Sequence, residues 1–70
     1  MNNKIESKPD VTVEGHGNIY LFRLHTDTAR EWVNENVSED RQMFGGALAV
    51  EHRYASELAA GMSADGLAVS

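Results

Sequence analysis

The chain predicts a small α+β domain. The expected form is a two-layer sandwich: one small mixed sheet in the order β-β-α-β-α-β, with two helices on one face. Three observations lead there. "IYLFRLH" at 19–25 alternates bulky residues onto both of its faces, as a strand in the middle of a sheet does. "TDTAREWVNENV" at 26–37 and the stretch from Tyr54 to Met62 change to helical spacing. Seventy residues make one domain at most, and a chain this short buries only about 60% of its unfolded surface. Each helix must therefore lay its single apolar stripe on the sheet.

The elements follow in order. Residues 1–9 are polar apart from Ile5 and end in Pro9, so a mobile tail is expected before a domain spanning 10–70. "VTVE" at 11–14 alternates with the period of a half-buried strand. "GHGN" then reads as a hairpin turn, because glycine and asparagine tolerate positive φ. In the next strand Ile19 and Leu21 point one way, and Tyr20, Phe22 and Leu24 the other. If the helices cover the second face, these aromatics are core; otherwise they lie on an open face. A small domain needs its bulky residues inside, which favours core.

In the first helix Ala29, Trp32, Val33 and Val37 share a face. Thr26 or Thr28 can cap its start, and Thr28 with Glu31 has capping-box spacing. "NVSEDRQMFGG" has no clear period and is expected to be a loop, with Met43 and Phe44 folding back onto the edge of the core. "ALAVE" is a short strand with Leu48 and Val50 on one face and Ala47 and Ala49 on the other. Tyr54, Leu58 and Met62, with Ala55 and Ala59 beside them, form the stripe of a second helix. Gly66 suits a left-handed cap, and "LAVS" a final edge strand.

Charge narrows the partners. Eleven acids against six bases give a net charge of −5, and the six bases are scattered. Nucleic-acid affinity comes from clustered Lys and Arg displacing counterions, so a nucleic-acid partner is not expected. The absence of cysteine fits a reducing compartment. No apolar run approaches the length that spans a bilayer, and the expectation is a cytoplasmic protein that does not enter a membrane.

The best site available to the sequence depends on one pairing. If the strands at 19–25 and 48–51 are parallel, Arg23 and His25 approach Glu51, His52 and Arg53 on one edge of the sheet. Both helix N-termini would open there too, and such ends attract anions. The same residues also fit exposed salt bridges around a capped helix. No close-spaced His, Asp and Glu set indicates a metal, no serine lies in a nucleophile turn, and the glycines match no phosphate loop. No cofactor is expected.

"NIYLFRLHTDTAREWVNEN" followed by "FGGALAVEHRYASELAAGM" resembles a group of small uncharacterised bacterial and phage-type proteins. The shared pattern is an IYLF strand, a threonine-started helix with a tryptophan, and a GALxVExRY segment, over roughly residues 18–69. The resemblance implies a compact bacterial domain with no agreed activity. Its association with phages and mobile elements favours an interaction role over catalysis. The expected function is non-enzymatic binding of a protein partner, through the five-residue edge or by strand addition, with a homodimer as one option. The alternatives are a small-anion or ligand module at the helix N-termini, or an enzyme subunit completed by dimerisation.

Overall fold

The computed structural model describes residues 8–70; the expected tail therefore falls, up to residue 7, outside the described residues. The elements are β1 (Val11–His16), β2 (Ile19–Leu24), α1 (Asp27–Asn36), β3 (Gln42–Phe44), β4 (Ala47–Glu51) and α2 (His52–Ala64). The fold is α+β, but its order is β-β-α-β-β-α. The sheet runs β1-β2-β4-β3, and all three of its pairings are antiparallel.

Two departures from the expected order have local causes. The stretch expected to be a loop contains β3, joined to β4 by Gly45 and Gly46. Gly45 takes φ +60°, the left-handed conformation that a two-residue hairpin needs. As part of a three-residue edge strand, Met43 and Phe44 stay largely exposed, at 42% and 59%, instead of folding onto the core. The final strand shrinks to a single parallel bridge between Val11 and Val69. That segment still closes the outer edge of β1: Val11 N donates to Ala68 O at 3.0 Å, and Ser70 N to Val11 O at 2.9 Å.

β2 divides its faces as its alternation requires. Phe22 is fully buried, Leu24 is nearly so, and Tyr20 is half-buried against the core. They join Val11 and Leu48 from the sheet, Ala29 and Val33 from α1, and Ala55 and Met62 from α2 in one cluster. The opposite face carries Ile19, Leu21 and Arg23, with Ile19 37% exposed.

Thr26, not Thr28, caps α1. Its backbone is extended, and its Oγ1 accepts from Ala29 N at 3.1 Å. The same hydroxyl donates to Asp10 Oδ1 at 2.7 Å. Trp32 packs half-buried on this helix and donates from Nε1 to Asp65 Oδ2 at 2.7 Å, tying α1 to the end of α2. α2 stops at Asp65; Gly66 takes φ +96°, and Leu67 N returns to Met62 O at 3.0 Å. This is the glycine-terminated helix end expected from the sequence.

Candidate functional site

The antiparallel pairing of β2 with β4 divides the five-residue edge. Arg23 lies opposite Ala47, whereas Glu51 lies opposite Ile19. Four residues of extended strand separate the two places, roughly 13 Å. The juxtaposition expected from a parallel pairing is therefore corrected: Arg23 and His25 sit at one end of the sheet, and Glu51, His52 and Arg53 at the other. The helix N-termini separate with them, because each helix begins where its own strand ends.

At the first end, Arg23 makes a two-pronged contact with Glu14, Nε to Oε2 at 2.8 Å and Nη2 to Oε1 at 3.3 Å. His16 Nε2 also reaches Glu14 Oε1 at 3.3 Å. The Arg23 hydrogen bond, aided by that from His16, holds the Glu14 carboxyl below its usual range, and Glu14 in turn raises Arg23. His25 Nε2 pairs with Thr12 Oγ1 at 2.8 Å. Arg23 with Glu14 and His25 with Thr12 thus occupy one another across the β1–β2 pair, and His16 meets Glu14 within β1. Such exposed ion pairs add little stability.

At the second end, Glu51, His52 and Arg53 line a shallow groove of about 420 Å³ with Asn18 and Ile19. Arg53 Nε donates to Glu51 Oε1 at 3.2 Å, and its guanidinium lies 5.2 Å from the centre of the Tyr54 ring. The contact has the geometry of a cation–π pair. All three residues of the trio are exposed.

Tyr54 departs from expectation. It is 53% exposed, although it shares a stripe with half-buried Leu58 and fully buried Met62. The reason lies in the sheet beneath it. β3 runs opposite Ala47–Ala49 only, so Val50 and Glu51 have no strand on that side. α1 ends at Asn36, and the chain leaves it through Val37. A groove of about 820 Å³ remains between β4, the start of α2 and the 37–41 segment. Val37, Ala49, Val50, Tyr54 and Leu58 supply its apolar surface, with buried Leu48 beneath them.

The polar rim of this groove is Ser38, Asp40, Arg41, Glu51 and Glu57. Arg41 is held in place: Nη2 donates to Asn34 Oδ1 at 2.6 Å, and Nη1 to Ser38 O at 3.1 Å. Asp40 accepts from the Ser38 hydroxyl. Sequence reasoning reached Glu51 and missed the rest. The signal was present in "MFGGAL", where apolar residues flank a glycine pair, the mark of a tight hairpin. A β3 of three residues there leaves the last two residues of β4, Val50 and Glu51, without a partner strand on that side.

Among the described residues no group of three His, Asp or Glu could hold a metal ion, and no helix is long and apolar enough to cross a membrane. Compared with known proteins, the chain matches no family model, no curated protein and no solved structure.

Proposed function

We propose that this chain is a small non-enzymatic module that binds a protein partner along the groove beside β4. One observation carries the reading: the fold leaves an apolar-floored groove, roofed by an exposed tyrosine, where β3 stops short of the end of β4. Tyrosines placed in this way are frequent anchors of protein interfaces, because a large ring is desolvated while its hydroxyl stays paired. An extended segment continuing the line of β3 would lie along Val50 and Glu51, a form of strand addition. The polar groups around the groove are engaged locally: Arg41 with Asn34, Asp40 with Ser38, and Glu51 with Arg53. That favours a binding surface over an acid–base pair. The likeness to small bacterial and phage-type proteins favours the same class of function.

The test is partner capture from bacterial lysate with three forms of the full chain. Tyr54→Glu should lose partners that the wild type retains, because it places a charge on the apolar groove. His52→Ser reports on the neighbouring shallow groove, and Phe44→Ser on the far edge; both should keep those partners. Thermal unfolding confirms that each variant is folded. If Tyr54→Glu captures the same set as the wild type, the groove is not the contact surface.

A further inference from the structure

We infer that the segment taken up by this groove is basic: an extended peptide with one bulky apolar side chain flanked by Lys or Arg. The inference rests on the groove being a protein-binding surface and adds the chemistry of its occupant. The apolar floor takes the bulky side chain, since Val37, Val50 and Leu58 are only half-buried by the chain itself. The rim sets the sign of the charge. Three carboxylates, Asp40, Glu51 and Glu57, and one guanidinium, Arg41, line the groove, and Glu51 is paired with Arg53 beside it.

The Arg41 guanidinium is hydrogen-bonded back into its own chain. Arg41 rests on Ser38 O at 3.1 Å and reaches Val37 O at 3.4 Å, where the C-terminal end of α1 carries partial negative charge. Asp40 and Glu57 make no ion pair among the described residues, whereas Glu51 pairs with Arg53 at 3.2 Å. Glu31, Glu35 and Glu39 are exposed on α1 and the segment after it. The chain as a whole carries −5. A cationic segment is drawn in by this field and pairs at the rim, whereas an acidic one is repelled. The same charge argues against a second copy of this chain in the groove, since it would bring −5 toward −5.

The experiment is selection of a random dodecapeptide library on the immobilised full chain at low salt. Selected peptides are synthesised and placed on the protein by backbone amide chemical shifts. The expected result is enrichment of a bulky apolar residue beside Lys or Arg, with shifts centred on Val50, Glu57 and Leu58. Raised salt should weaken binding. The double variant Asp40→Lys, Glu57→Lys should lose affinity on the order of tenfold or more. Both positions are exposed, so the variant is expected to fold, and its amide spectrum verifies that. Acidic or uncharged peptides shifting the same amides would overturn the basic partner and leave the groove as a binding surface. Peptides that shift amides elsewhere, or no enrichment at all, would overturn both.

Discussion

Asp10 connects three parts of the chain that are distant in sequence. Its Oδ1 accepts from the capping hydroxyl of Thr26, its Oδ2 accepts from Ala68 N at 2.9 Å, and its own carbonyl accepts from His25 N at 2.8 Å. The hydrogen bond from Ala68, then that from Thr26, holds its carboxyl below the ordinary value of 3.8. Glu14 is likewise held below its ordinary 4.5, chiefly by Arg23. A lowered folded-state pKa means that the unfolded chain takes up the proton first. The stabilisation is present above these ordinary values and is lost as pH falls through the lower folded ones. Urea midpoints should therefore fall as pH drops below 4.5, and Asp10→Asn with Glu14→Gln should flatten that fall. An unchanged slope would mean other carboxylates dominate acid unfolding. Thr26→Ala removes both the cap and the Asp10 contact. It should cost about 1–2 kcal/mol, read as a melting temperature lower by several degrees.

At the scale of elements, one replacement has opposite effects in two places. Gly61 lies inside α2, and a Cβ added there would meet the Trp32 ring at 3.8 and 3.9 Å, ordinary contact distances. Gly61→Ala should stabilise by about 0.5–1 kcal/mol, because alanine loses less backbone entropy in a helix. Gly45 faces open space but sits at φ +60°. Gly45→Ala should destabilise by about 1–2 kcal/mol, the left-handed penalty of a residue with a Cβ. Paired thermal melts decide both signs. β1, β2, β4 and both helices were legible because each carries its own period. β3 was not, since three residues are too few to show an alternation. Its short length also blunts the exposed edge of the sheet.

For the whole molecule, stability concentrates in few side chains. A chain of this length holds a total on the order of 4–10 kcal/mol. Phe22 and Met62 are fully buried at the junction of the sheet with the helices. Phe22→Ala should cost about 3–5 kcal/mol, much of that total, and calorimetry should show a weakened or lost cooperative transition. A melt within a few degrees of wild type would show that the cluster tolerates the cavity.

The site scattered at this same scale. Arg23 and Glu51 lie at the ends of their strands, His25 follows β2, and His52 and Arg53 open α2. Whether they meet depends on the direction in which β2 and β4 pair. The sequence alone determined which side chains of β2 share a face, where α1 is capped within two candidates, and where Gly66 ends α2. These are local matters, settled by side-chain alternation, helical spacing and backbone conformation within a few residues. Only the tertiary structure decided that β4 turns back through a hairpin with β3 and runs antiparallel to β2. An alternating strand buries the same side chains in either direction, so its pattern carries no sign of direction. The pairing divided one expected edge into two ends, and the short β3 left the groove that neither end had suggested.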